Sequence, residues 1–150
     1  QVSLPEQMGR LIQHERCVAV GEIGLDYYRH ADNEERDRQK KYLRSVVPHA
    51  VTTGKPLVLH CRTHPDSPDE ARNDLIELLT GLLPPTYSVY VHCFSDDVDA
   101  MKQWIAAFGN VRFGVNRTPR TAMDATLLGP WNWTGFFWKV TACSPAMIRS

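Results

Sequence analysis

Short unbroken apolar runs and stretches of helical periodicity alternate along the first three quarters of the chain. Leu4 to Glu15 has helical character and leads into the apolar run Cys17 to Val20, which ends at Gly21 and Glu22. A helix followed by a strand is predicted. Asp32 and Glu35 have the spacing of a capping box, and Tyr42, Leu43, Val46, Val47 and Ala50 recur at helical spacing until Gly54 and Pro56 stop the pattern. Pro48 should kink that helix, because it lacks an amide donor and its ring meets the carbonyl of Arg44. Leu57 to Cys61 is a second apolar strand. Ser67, Pro68 and Glu70 then supply an N-cap, a first-turn proline and a box partner for a helix carrying Leu75, Ile76, Leu78, Leu79 and Leu82, ended by Pro84 and Pro85. Val89 to Phe94 is a third strand. Asp96, Asp97 and Asp99 open a helix bearing Val98, Met101, Trp104, Ile105 and Phe108, with Gly109 as its expected C-cap. Val111 to Val115 is the fourth strand.

Apolar strands separated by capped helices are the grammar of a parallel α/β sheet, whether open or part of a barrel. At 150 residues the chain suits one domain and is short of the roughly 250 of a closed eight-stranded α/β barrel. The grammar fails from Thr121 onward, where Trp131, Trp133, Phe136, Phe137 and Trp138 cluster without a period. The chain therefore divides into an α/β domain over residues 1–120 and an aromatic-rich tail over 121–150. The tail reads as a partner-binding or membrane-surface patch, or as a non-native or alternatively processed end.

Charge narrows the options. Seventeen basic residues balance seventeen acidic ones, so no bulk field favours a nucleic-acid backbone, and any phosphate binding must be local. No apolar span is long enough to cross a membrane and no leader pattern occurs, so an intracellular location, cytoplasmic or nuclear, is expected. The first residue is Gln1, which reads as a fragment or a processed product. Cys17, Cys61, Cys93 and Cys143 are far apart and form no CxxC pair, as reduced thiols rather than a disulfide frame or zinc ribbon would be.

Three successive strands carry a potential metal ligand at their carboxyl ends: Glu22, His60 and His92. A single histidine in such a place is ordinarily a satisfied core or surface residue. Carboxyl ends of parallel strands converge on one face, however, so these three side chains can meet. One carboxylate and two imidazoles suit a divalent metal such as zinc or manganese. Cys61 and Cys93, adjacent in sequence, should point to the other face and pack under the helices. Arg62, His64, Arg29 and Ser95 lie in loops on the ligand face, where Arg62 could grip a phosphate. The basic run from Arg36 to Arg44 is interleaved with Glu34, Glu35 and Asp37 and reads as a solvated helix face.

The stretches GEIGLDYYR at Gly21 to Arg29, KPLVLHCR at Lys55 to Arg62 and VHCFS at Val91 to Ser95 together resemble the TatD family of metal-dependent deoxyribonucleases, over about residues 1 to 115. The resemblance implies a (β/α)8 TIM barrel of the metal-dependent hydrolase type, here incomplete, hydrolysing phosphodiester bonds of DNA, often as a 3′–5′ exonuclease. It implies one or two divalent ions, Mg, Mn or Zn. Glu22 would be the catalytic carboxylate shared between metals, with His60 and His92 as further ligands. Asp26 would orient the loop or a ligand, or cap a turn. Substrate contacts would come from Arg62, His64 and Arg29, and the partner would be single-stranded DNA or 3′ ends. The family also carries an HxH strand before these motifs and an ETDAP-like strand after them, and neither occurs among these residues. Asp124 does not stand in that context. The expected reading is thus a fragment or truncated form with impaired activity, prone to self-association through unpaired barrel edges. The alternatives are a noncatalytic partial-barrel interaction module and a metal-dependent hydrolase with a substrate other than nucleic acid.

Overall fold

Helices and strands alternate in the order α1 (Leu4–Gln13), β1 (Val20–Asp26), α2 (Asn33–Thr53), β2 (Leu57–Arg62), α3 (Glu70–Thr80), β3 (Ser88–Phe94), α4 (Val98–Ala107) and β4 (Asn110–Val115). This is a computed structural model that describes residues 3–30 and 32–115, so the tail expected over 121–150 lies outside the described residues. The four strands are parallel and lie side by side in chain order, β1-β2-β3-β4. Parallel crossovers are right-handed, and an order that never reverses therefore puts every connecting helix on the same face of the sheet. That is the winding of a barrel, whereas an open doubly wound sheet reverses its order. The fold is α/β, a partial barrel.

The helix-covered face holds the core. Ile23 and Leu25 of β1, Leu57 and Leu59 of β2, and Val89 and Val91 of β3 are buried against Leu43, Val46, Val47 and Ala50 of α2, Leu75, Leu78 and Leu79 of α3, and Met101 and Trp104 of α4. Burial alternates along β1 and β3, with Glu22 and His92 on the other, open face.

Several local expectations shift. β1 begins at Val20 and runs through Asp26, so Glu22 sits inside the strand, and Val18 is 63% exposed. The strand is the alternating VGEIGLD, while the unbroken apolar run before it is only its approach. Asp32 caps α2, its carboxylate accepting from the Glu35 amide at 2.9 Å, and the helix continues past Pro48 to Thr53 and Gly54. α3 begins at Glu70 with Asp69 as N-cap, because Ser67 is engaged instead by His64, whose carbonyl accepts the Ser67 amide at 3.0 Å. α4 closes at Phe108, one residue before Gly109, whose amide donates to the Pro85 carbonyl. Ile105 is 45% exposed rather than in the core.

Two polar ties hold the helices over the strand ends. Lys55, just before β2, donates from its ammonium to the carbonyls of Ile12 and His14 at the end of α1, and its own carbonyl accepts from Tyr87 at 2.6 Å. Past the end of β1, the fully buried Tyr27 donates to Asp74 of α3 at 2.6 Å, and Lys40 of α2 pairs with the same oxygen at 2.7 Å. Arg36 lies 4.2 Å over the Tyr27 ring and reaches Glu70 at 2.9 Å. Burial pushes the Tyr27 hydroxyl up, with Asp74 adding to it. Burial alone would raise Asp74, but the hydrogen bonds from Lys40 and Tyr27 outweigh it and hold the carboxyl below its ordinary 3.8. A lowered carboxyl contributes stability above its unfolded value and loses that contribution as pH falls through the folded one. In urea unfolding, Asp74→Asn is therefore expected to cost about 1.5 kcal/mol at pH 6, with the gap to wild type closing as pH drops below 3.8; a gap that does not depend on pH would contradict this assignment.

Candidate metal centre

The open face near the carboxyl ends of β1, β2 and β3 brings the three expected residues together around one oxygen. Glu22 Oε1 lies 3.0 Å from His60 Nδ1 and 3.1 Å from His92 Nδ1, and all three side chains are about two-fifths exposed. The pairing Gly24↔His60 sets Glu22 and His60 on the same face of adjacent strands. β2 and β3, paired through Leu59↔Val91, carry His60 and His92 one position further along.

Asp26 joins the group. Its Oδ2 lies 3.3 Å from His60 Nε2, while Oδ1 accepts the Arg29 amide at 3.0 Å and closes the turn after β1. One oxygen of this carboxylate thus caps the turn while the other faces the His60 ring. Gln39 of α2 fixes the Asp26 backbone, accepting its amide at 2.9 Å.

Cys61 and Cys93 part ways. Cys61 is partly buried and packs against the core as expected, and burial, with the charge of Asp96 adding, pushes its thiol up to about 12. Cys93 does not pack under the helices. Its backbone is left-handed, at φ 51°, where the β3–β4 register shifts between Val91 and Phe94, and its Sγ stands 3.3 Å from His92 Nε2. The irregularity breaks the alternation on which the expectation rested. Burial and the negative charge of Glu22 raise this thiol too, which keeps it protonated at neutral pH.

The remaining expected contacts lie at the rim. Arg62, at the end of β2, places its guanidinium 4.1 Å over the Tyr28 ring, and His64 stacks obliquely on the same tyrosine with ring centres 6.4 Å apart. Arg29 is exposed and 4.0 Å from Asp26. A polar cleft of about 290 Å³ between α2 and α3, lined in part by Lys40, Arg44, Asp74 and Glu77, shares none of these residues.

Comparison with known proteins then decides the family. The model of TatD related DNase matches residues 2–125. The chain belongs to the TatD-related family. The human 3′–5′ RNA nuclease TATDN2 is 33% identical over 103 residues, covering 69% of this chain and 12% of that protein. The "uncharacterized metal-dependent hydrolase TatD" of Mycobacterium tuberculosis is 32% identical over 133 residues, 83% of this chain and 46% of the relative. The 3′–5′ ssDNA/RNA exonuclease TatD of Erwinia billingiae is 30% identical, covering 65% and 34%. The chain thus spans less than half the length of these relatives. Among solved structures, an uncharacterized amidohydrolase from Saccharomyces cerevisiae superposes with a TM-score of 0.54 at 19% identity, over 75% of this chain and 37% of that one, a likeness of fold.

As a TatD-family centre, the donor set fits a divalent ion in part. A carboxylate and two imidazoles converge on an accessible face, which is the right chemistry. Among the described residues, though, no group of three or more His, Cys, Asp or Glu side chains is arranged so that it could hold a metal ion. The donors face one another instead.

Sequence reasoning missed Arg72 and the glycines' role. Arg72 of α3 is the buried charged residue of the core, bonded to Asp69, to Asp96 at 3.1 Å and to Gln103 of α4 at 3.0 Å. It thereby ties α3 to the loop that follows His92. Burial raises the Asp96 carboxyl despite this partner. A Cβ at Gly24 would run into the His60 carbonyl, and one at Gly21 into that of Val58. The repeated glycines of GEIGLD were the available signal.

Gly24→Ala is expected to cost about 1–3 kcal/mol in chemical denaturation, whereas Gly109→Ala, whose nearest neighbour would be 4.0 Å away, should stay within about 0.5 kcal/mol. Equal effects would show that strand approach is not limiting. Arg72→Ala should cost about 2 kcal/mol by leaving the partly buried Asp96 without its partner. Arg72→Met restores stem volume but not charge, so thermal unfolding should show only partial recovery.

Proposed function

We propose that this chain carries the Glu–His–His portion of a metal-dependent phosphodiesterase centre acting on nucleic acid, single-stranded or at 3′ ends. The observation that carries the reading is the imbalance of protons around Glu22 and His60. A neutral imidazole has one N–H to donate, yet His60 faces a carboxylate oxygen at each nitrogen, Glu22 at 3.0 Å and Asp26 at 3.3 Å. Asp26 accepting from Nε2–H leaves Nδ1 of a neutral ring as a bare lone pair beside Glu22, a contact that either a second ring proton or a cation shared by the two partners completes. In metal sites a carboxylate behind a ligating histidine sets the tautomer in this way. To hold the ion, Glu22, His60 and His92 would exchange their present mutual contacts for it, with Asp26 as the orienting group, and Mg, Mn or Zn, one or two per site, are the candidates. When bound there, a divalent ion would supply hydroxide near neutral pH and offset charge developing on the phosphoryl oxygens.

The chain's own residues bind and orient around that point. Glu22 draws both histidines to one oxygen, and Arg62, His64 and Arg29 surround the approach with donors for a phosphate. The nuclease names of the human and Erwinia relatives support nucleic acid as the substrate. Among the described residues no helix is long and apolar enough to cross a membrane. A second reading, an interaction or self-associating module, is favoured by the outer edges of β1 and β4, which pair with no strand among the described residues.

Incubation of the purified chain with 5′-labelled single-stranded DNA and Mg, Mn or Zn is expected to give weak, metal-dependent shortening from the 3′ end. Glu22→Ala should reduce it at least tenfold to about a hundredfold. Wild type indistinguishable from Glu22→Ala would overturn catalysis by this chain. Bound metal, measured by mass spectrometry, should fall in the His60→Ala/His92→Ala double variant, and unchanged content would overturn the ligand assignment.

A further inference from the structure

Tyr28 is one of four large apolar side chains that are exposed among the described residues, and it is the one that meets Arg62 and His64. Its neighbour Tyr27 is fully buried, so the chain leaving β1 turns one aromatic ring into the core and presents the next, 50% exposed, to solvent. The position of that ring is set from three sides. Asp26 closes the turn through the Arg29 amide and faces His60 with its other oxygen. The Tyr27 amide donates to the Arg62 carbonyl at 2.8 Å, which fixes the end of β1 to the end of β2. The Arg62 guanidinium lies 4.1 Å over the Tyr28 ring, and His64 flanks it.

Arg62 is itself exposed and has no carboxylate partner among the described residues. It is held by an aromatic face, which leaves its donors and its own outer face available. Phenol, guanidinium and imidazole together make a mostly π-bearing rim, its two rings inclined by 35°, at the strand ends that carry Asp26 and His60. Every nucleobase has a π-face that such a rim can receive, without regard to sequence. The balanced charge of the chain points the same way, since the rim offers attraction that does not depend on a long-range field.

We propose that Tyr28, backed by Arg62, is a stacking platform for a nucleobase of single-stranded nucleic acid, seating the strand so that its backbone passes Glu22 and His60. This rests on the nucleic-acid reading given above. Arg62 serves both as the partner of the ring and as a donor to the adjoining phosphate.

The test is fluorescence anisotropy of a short labelled oligothymidylate and a matching oligouridylate with the whole chain, in EDTA so that no cleavage occurs. Each is compared with an otherwise identical strand lacking its 3′-terminal bases. Tyr28→Ala is expected to weaken binding between about 5-fold and about 150-fold, the range of one base–aromatic stack, and Tyr28→Trp to preserve it. Wild type should bind the abasic strand as weakly as Tyr28→Ala binds the intact one, and the variant should lose little more on the abasic strand. The abasic arm uses unaltered protein, so it decides the matter even if Tyr28→Ala folds poorly. Intact and abasic strands binding wild type equally would overturn the platform while leaving the nuclease reading standing. Failure of wild type to bind either DNA or RNA would overturn the platform, and the metal-dependent cleavage assay above decides the nuclease reading separately.

Discussion

At Gly24, β1 lies so close to His60 of β2 that the space a side chain would need is filled by the neighbouring strand's carbonyl group. That approach governs the whole polar face. With Gly24 opposite His60 and Asp26 opposite Arg62, Glu22 and Asp26 fall on either side of the imidazole, and Tyr28 falls beside the guanidinium. A side chain at residue 24 would widen the strand separation and release all these contacts together. The glycine is chemically silent, yet every polar distance on this face is measured from it.

The two faces of the sheet divide the work. One is covered by α2, α3 and α4 and closed by Leu, Val, Met and Trp side chains, and it is this burial that drives folding. The other carries Glu22, His60 and His92, half in water, where charged groups keep much of their hydration and can be assembled at small cost. The polar ties at the margin of the core, Tyr27–Asp74–Lys40 and Arg72–Asp96, lie just past the ends of β1 and β3. They fix the helices to the ends of the strands, where small displacements would otherwise reach the histidines.

Much of this was legible in sequence. The capped helix at Asp32, the apolar strands and the meeting of Glu22, His60 and His92 follow from local pattern and from the convergence of parallel strand ends. The first strand was less so, because Val18 and Ala19 lie ahead of it and the true strand alternates residues that only the covered face buries. Cys93 was misplaced for a reason no periodicity contains: a left-handed backbone at one residue reverses the side on which its thiol emerges. Arg72 was invisible for another, since two of its three partners, Asp96 and Gln103, come from a loop and a helix more than twenty residues further on. Local spacing reports which face a residue occupies, but not which distant chain segment arrives opposite it.

The strand order has a consequence in time as well as in space. Each strand pairs with the one made just before it, so every new strand pairing closes a loop with one intervening helix, and loops of that length close quickly. A chain emerging from its amino end can add these units in sequence without waiting for a distant partner. Glu22 is then in place before His60 and His60 before His92, so the cluster can be built up one side chain per helix as the chain lengthens.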